Sequence, residues 1–428
     1  MHRLVIDVTY LAHWQGKLTG IPRVIQELAS RYAASTTPCV FVVWDNQASE
    51  FIAVDIDLTM KNRGSSLHYL SRTGKSKNAR GAKAAQTSEK VLRKLRLTNT
   101  ALVPDSLTAR LSESRIRAYE CIKPGKDDQL LMLMGEWHNQ KYIDRVVEAK
   151  QSGASLIQVS YDVLPLVQPQ YSGHSTDTMD NYNRTVMPLC DLILAISENT
   201  KNDLAAWLKQ QELRCPPVRV FRLGDDFQRA ANKKPLTTEF TRAKISGGDY
   251  ILSVGTIEAR KNHTLLYYVY KLALQRGIIL PPLVIVGRNG WKASDFFDIA
   301  RADPETKDRI LFLTDADDQE LSWLYDNALF SVYPSFYEGW GLPIAESIMR
   351  DVPCIASNTS SMIEIAGDLI DYFSPASADE CLAAITHLLN PKGLDNAKKR
   401  IKQYQPYTWD KSFKQVDSFI KEQYEKTN

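Results

Sequence analysis

The 428-residue sequence contains no apolar run approaching the roughly 20 residues that span a bilayer, so no membrane-spanning helix is expected. Metal and disulfide signatures are also missing. Cys39, Cys121, Cys190, Cys215, Cys354 and Cys381 are scattered, with no Cys-x-x-Cys pair and no Cys/His cluster, which argues against a zinc site and a disulfide framework. A secretory leader is not expected either, since Met1-His2-Arg3 runs directly into the short apolar stretch Leu4-Val5-Ile6. The expected location is cytoplasmic, with peripheral attachment at the inner face of the membrane as an option. Net charge is small, at +3, so the whole surface is not built for a polyanion.

What is present is enough chain for two domains. At 428 residues, 44% of them hydrophobic and 24% charged, the protein exceeds one ordinary core and has a globular composition. Short β-branched runs alternate with amphipathic segments. The pattern predicts strands at 3–10, 39–45, 130–135, 155–162, 191–197 and 218–224, with helices at 21–35, 141–151 and 198–211 between them. A polar segment at 228–249, containing Pro235, Gly247 and Gly248, reads as a linker. A second series then predicts strands at 250–256, 282–287, 309–315, 329–335 and 353–357, with helices at 263–277, 319–327, 343–350 and 409–426. Continuous apolar strands with helices between them imply parallel sheets covered on both faces. The expected organisation is a Rossmann-like domain at 1–230, a second at 245–405, and a C-terminal helix within 406–428 packing back on the first.

The segment most informative about chemistry is Tyr333-Pro-Ser-Phe-Tyr-Glu338-Gly339-Trp340-Gly341-Leu342-Pro343-Ile-Ala-Glu346. It leaves a strand, passes a Gly-x-Gly turn and enters a helix with Pro343 in its first turn, a geometry that offers free N–H groups to a phosphate. Glu338 precedes the turn and Glu346 lies about one helical turn beyond it, so one carboxylate can hold ribose hydroxyls while the other meets a sugar. A tight turn with two surface glutamates would show the same letters. About 80 residues earlier, Gly255-Thr256-Ile257-Glu258-Ala259-Arg260-Lys261-Asn262 also joins a strand to a helix, and Arg260 and Lys261 could neutralise a leaving diphosphate. Alone, an Arg-Lys pair before a helix is ordinary solvated surface.

The Glu338-x7-Glu346 spacing, with its glycines, proline and upstream Tyr-Pro-Ser, resembles the signature of family 4 glycosyltransferases, which have the GT-B fold. The resemblance covers nearly the whole chain apart from about 50–128. It implies two Rossmann-like doubly wound α/β domains facing across a cleft, a nucleotide sugar in the C-terminal domain and an acceptor in the N-terminal one. Gly255, Thr256, Arg260, Lys261, Glu338, Gly339, Trp340, Gly341, Leu342 and Glu346 are the implied donor-binding residues. Thr19-Gly20-Ile21-Pro22-Arg23 is similar to the family loop that approaches the donor, which adds Gly20, with Arg23 as an acceptor-side candidate. Tyr161-Asp162-Val163-Leu164-Pro165-Leu166 resembles a His-Asp-x-x-Pro-Leu pattern with Tyr161 in place of the histidine; Asp162 joins Glu338, Lys261 and Arg260 as a catalytic candidate. Glu136-Trp137-His138 follows a strand, making His138 a second acceptor-side candidate. Ser197-Glu198-Asn199-Thr200 is a helix cap.

The resemblance implies retention of anomeric configuration by a front-face route, with the departing phosphate taking the acceptor's proton, and neither metal nor cofactor beyond the nucleotide-sugar co-substrate. Asp55-Ile56-Asp57 and Asp315-Ala316-Asp317 match a metal-binding Asp-x-Asp only superficially and are read as loop acids. The Gly-Thr-Ile-Glu-x-Arg-Lys-Asn wording is similar to bacterial mannosyl- and rhamnosyltransferases of polysaccharide assembly, so GDP-mannose is the first-choice donor, and a glycan or lipid-linked molecule the acceptor. A same-fold epimerase or phosphorylase is the first alternative, and a nucleic-acid-binding protein acting through a basic insertion is the second. Between Leu58 and Thr100, within an insertion at 58–128, eleven Lys and Arg face the single acid Glu89. The stretch 88–97 has apolar residues at helical spacing among cations, as a helix lying on an anionic membrane surface would. It lacks interleaved stacking aromatics, so nucleic acid is not an expected partner.

Overall fold

The computed structural model describes residues 3–14, 19–54, 120–173, 176–226, 245 and 249–427. The basic stretch 58–100, the Asp55–Asp57 motif and most of the 228–249 linker lie outside the described residues. Two compact units divide the chain, one of Met1–Gln158 with Leu189–Asp191, the other of Val159–Pro188 with Leu192–Asn428.

The first sheet comprises β1 (Arg3–Asp7), β2 (Cys39–Asp45), β3 (Glu50–Val54), β4 (Cys121–Ile122), β5 (Asp128–Met132), β6 (Ser155–Ser160), β7 (Leu192–Ala195) and β8 (Val218–Val220). Their order is β4-β3-β2-β1-β5-β6-β7-β8. Parallel ladders join β2, β1, β5 and β6, and a further one joins β7 to β8. The expectation of a parallel sheet fails at one edge, where β2–β3 and β3–β4 are antiparallel. The cause is a tight turn: Asp45 Oδ1 accepts from the N–H groups of Gln47 and Ala48, Ser49 takes φ 53°, and the returning β3 lays Phe51 edge-on against Trp44 at 5.5 Å. The predicted strand at 3–10 also ends early. Asp7 accepts from the Thr9 N–H at 2.9 Å, and the chain turns into the short helix Thr9–His13.

The second sheet comprises β9 (Ile251–Val254), β10 (Leu283–Val286), β11 (Ile310–Leu313), β12 (Phe330–Tyr333), β13 (Cys354–Ser357) and β14 (Asp371–Phe373), in the order β11-β10-β9-β12-β13-β14 with parallel ladders. Alternate residues feed opposite cores: Ile251 and Ile285 pack with Leu266 and Phe330, while Leu252 and Val284 pack with Tyr250 and Leu324. That is why the strands read as continuous apolar runs. Strand ends run shorter than the hydrophobic pattern predicts because their last residues leave the ladder to build loops. Asp317 caps the helix Asp318–Asn327 in a reciprocal capping box with Glu320, which accounts for one of the Asp-x-Asp acids structurally.

The C-terminal helix Trp409–Thr427 returns to the β8 edge of the first sheet. Gln415 Nε2 donates to the Val220 carbonyl at 3.3 Å, and Asp226 accepts from the Trp409 N–H at 2.8 Å. Buried Asp225 accepts from the Tyr404 hydroxyl and the Tyr407 N–H at 2.5 and 2.7 Å. A Cβ on Gly224 would come within 2.5 Å of the Trp409 indole, so only glycine lets the helix dock there.

Candidate active site

In the second sheet the chain progresses from β9 outward through β10 and β11, then restarts at β12 on the other side of β9. The loops leaving β9 and β12 therefore open into the crevice at the topological switch point, where ligands bind in open α/β sheets. The β9 loop carries Gly255 to Asn262 and the β12 loop carries Pro334 to Gly341. Asn262, at φ 55°, ties them together: its amide donates to the carbonyls of Pro334 and Pro375 at 3.0 and 2.9 Å. The Phe336 N–H donates to the Arg260 carbonyl at 2.8 Å.

Arg260, Lys261 and Glu338 meet in this crevice. Glu338 is 6% exposed and pairs with Arg260 Nη1 at 2.5 Å and Lys261 Nζ at 2.7 Å. Arg260 also pairs with buried Glu258 at 2.6 Å and donates to the Tyr337 carbonyl at 2.8 Å, while Lys261 Nζ donates to the Tyr333 hydroxyl. Two cations and two anions thus balance in a space nearly closed to water. Burial by itself would raise the Glu338 carboxyl, but Arg260 and Lys261 hold it down at about 2. Lys261 is lowered by burial against the opposing pull of Glu338, and Arg260 is raised by Glu338 and Glu258 despite burial. Burial and the Lys261 charge lower buried His263 to about 3, which keeps it neutral.

Asp162 lies beside this cluster. Its Oδ1 accepts from the Leu164 N–H at 3.1 Å, its charge acts on Arg260, and a Cβ on Gly339 would meet the Tyr161 carbonyl at 2.2 Å. Gly339 is therefore required for the close approach of the 161–162 backbone. Gly341 takes φ 125° and leads into the helix Leu342–Ile348, only seven residues long, so the anion-binding capacity rests more on the two cations than on a helix dipole. Glu346 sits on that helix half-buried and accepts from the Tyr325 hydroxyl at 3.1 Å. Thr256 is exposed, and Gly255 abuts the Lys261 stem, where a Cβ would be 3.4 Å from Cε. Trp340 is 6% exposed, and its indole N–H has no acceptor among the described residues. Gly20, Arg23 and His138 belong to the first unit. Gly20 takes φ 58° ahead of the helix Ile21–Ala34, Arg23 is half-buried in that helix's first turn, and His138 is exposed with its ring 4.6 Å from that of Trp137. Among the described residues, no group of three or more His, Cys, Asp or Glu is arranged to hold a metal ion.

Sequence reading gave no role to Tyr333, Glu258, Asn262, Ser360 or Ser361. Ser360 accepts from the Glu338 N–H at 2.9 Å, and Ser361 donates to the carbonyls of Glu338 and Trp340 at 2.8 and 2.7 Å, fixing the turn from beneath. Glu258 sits inside a recognised motif, but only burial distinguishes it from a surface acid.

Residues 237–406 match the family described as "Glycosyl transferases group 1", and the fold is that called GT-B. The fold likeness is to an Anabaena protein, HepE, solved in complex with UDP and glucose, at a TM-score of 0.59 and 13% identity over 99% of this chain and all of that one. In sequence, the chain is similar to the O-antigen chain mannosyltransferase B of Escherichia coli, 28% identical over 54% of this chain and 60% of that protein. It is also similar to the serotype-specific mannosyltransferase WbdA of Escherichia coli, 24% identical over 63% of this chain and 34% of that protein. The chain thus spans 60% and 34% of the length of these two curated relatives. No helix among the described residues is long and apolar enough to cross a membrane.

Proposed function

We propose that the protein is a glycosyltransferase that moves a hexose, mannose as first choice from GDP-mannose, onto a glycan or lipid-linked acceptor in surface-polysaccharide assembly, with retention of configuration. The observation that carries this reading is the meeting of Arg260, Lys261 and Glu338 at the β9/β12 switch point. Glycosyl transfer expels a nucleoside diphosphate, and fixed cations in a water-poor site stabilise the charge growing on it. A pyrophosphate arriving there competes with Glu338 for both cations, which frees the Glu338 carboxylate to turn toward the sugar. Glu346 holds the ribose hydroxyls. The names of the mannosyltransferase relatives and the domain match at 237–406 support the donor and acceptor classes. The reading needs no resident metal, because Arg260 and Lys261 supply the positive charge.

The test is turnover of a panel of GDP-, UDP- and dTDP-sugars with and without a mannose-terminated oligosaccharide. Transfer that requires the oligosaccharide, together with at least tenfold weaker GDP binding in Glu346→Ala (loss of a charge-assisted hydrogen bond, ~1.4 kcal/mol or more), supports it. Conversion of the sugar nucleotide without any acceptor would make the protein an epimerase instead, and release of a sugar phosphate from the oligosaccharide on adding inorganic phosphate would make it a phosphorylase.

A further inference from the structure

The first sheet reverses in the same manner as the second. The chain builds β1, β2 and β3 outward on one side and restarts with β5 on the other side of β1, so a second switch-point crevice opens at the C-terminal ends of β1 and β5. Asp7, Tyr10 and Glu136, which lie at it, all belong to the first unit. Asp7 ends β1; it is 2% exposed and satisfied by the Thr9 hydroxyl and N–H and by the Tyr142 hydroxyl at 2.6 Å. Glu136 follows β5 after Gly135, which takes φ 90°, and it faces Asp7 and the Tyr10 hydroxyl electrostatically. Its carboxyl group is half-buried and has neither a hydrogen bond nor an ion pair among the described residues. Tyr10, which faces Glu136, stacks with Trp14 at 5.8 Å, and Trp137, the next residue in the chain, has its ring 4.6 Å from that of His138. A half-buried carboxyl with no hydrogen-bond or ion-pair partner among the described residues, at a strand end that also carries aromatic rings, suits a sugar, whose hydroxyls seek strong acceptors and whose C–H faces lie on rings.

We propose that the β1/β5 crevice is a glycan site in which the Glu136 carboxylate accepts a hydrogen bond from a hydroxyl of the acceptor sugar, with a pyranose face against the neighbouring rings. The inference rests on the glycan acceptor of the function proposed above. It carries a pH signature. Burial first, then the charge of Asp7, raise Glu136 to about 7, so the group is half-ionised near neutrality. The groups facing it are Asp7 on β1, itself raised by burial, and Tyr10 on the helix Thr9–His13; His13 and Tyr142 act on it through Asp7. The ionised form is the stronger acceptor, so glycan affinity rises with pH through this range.

The experiment is titration of the 428-residue protein with mannotriose at pH 6 and pH 8, followed by saturation-transfer NMR, with GDP binding measured in parallel. The wild type should bind mannotriose several-fold more tightly at pH 8. Glu136→Gln should bind about tenfold more weakly than the wild type at pH 8 and show no pH step, while GDP affinity is unchanged. Glu136→Asp, which keeps the charge, should retain the step. Wild-type affinity in Glu136→Gln, or no mannotriose binding at either pH by a protein that binds GDP, overturns the glycan site. Loss of GDP binding in the wild type would instead overturn the donor reading.

Discussion

At the β9/β12 reversal, two buried carboxylates, Glu258 and Glu338, are matched by Arg260 and Lys261, whereas at the β1/β5 reversal, Asp7 and Glu136 have no Lys or Arg ion pair among the described residues. The same topological device thus yields opposite carboxyl chemistry. Glu338 is held at about 2 and stays charged, and Glu136 is raised to about 7 and exchanges its proton near neutrality. Their linkage to stability has opposite signs. The depressed Glu338 contributes stability that is present above pH 4.5, its ordinary value, and is lost as pH falls toward about 2. The raised Glu136 favours the folded state below pH 4.5 and loses that contribution as pH rises through about 7. A crevice balanced by fixed cations suits a diphosphate, and one whose titrating carboxyl has no ion pair among the described residues suits neutral hydroxyls.

The sharpest way to break this comparison is to remove a cation. Lys261→Ala should lower kcat by about 10²- to 10³-fold, by analogy with the loss of one preorganised charge-stabilising donor, measured by transfer of radiolabelled mannose. Removing the anion tests the balance itself. Glu338→Gln leaves Arg260 and Lys261 without their carboxylate, so the thermal midpoint should fall, and saturating GDP should raise the variant's midpoint more than the wild type's, because the pyrophosphate takes the place of the missing charge. Equal GDP shifts in both proteins would deny that the cations face the diphosphate. A smaller effect is expected from Tyr325→Phe, which removes the hydroxyl donated to Glu346. GDP affinity should drop by about three- to tenfold with little change in kcat, and calorimetry on GDP and 2′-deoxy-GDP should show the gap between them narrowing. An unchanged gap would place Glu346 away from the ribose.

Much of the second sheet was legible because its strands are buried on both faces and therefore read as apolar runs bounded by glycine. The Glu338–Glu346 and Gly255–Asn262 segments were legible for a related reason: a strand, a glycine turn and a helix leave their marks in adjacent letters. The β2–β3 hairpin was not, since its turn Asn46-Gln47-Ala48-Ser49 carries no glycine and depends on the Asp45 side chain. Glu258 and Tyr333 were visible as letters inside motifs but not as members of the ion-pair cluster, because burial and three-dimensional pairing across 72 residues, as between Lys261 and Tyr333, have no local signature. The same holds for Glu136, which is raised by burial and by the like charge of Asp7 at the end of a different strand.

The most direct measurement is calorimetric binding of GDP to the wild type and to Arg260→Ala and Lys261→Ala, all confirmed folded by circular dichroism. Binding by the wild type and at least tenfold weaker binding by both variants is the result expected of two cations that reach one diphosphate. Equal affinity in all three proteins would mean that the β9/β12 crevice does not hold the nucleotide, and the proposed donor site would have to be abandoned.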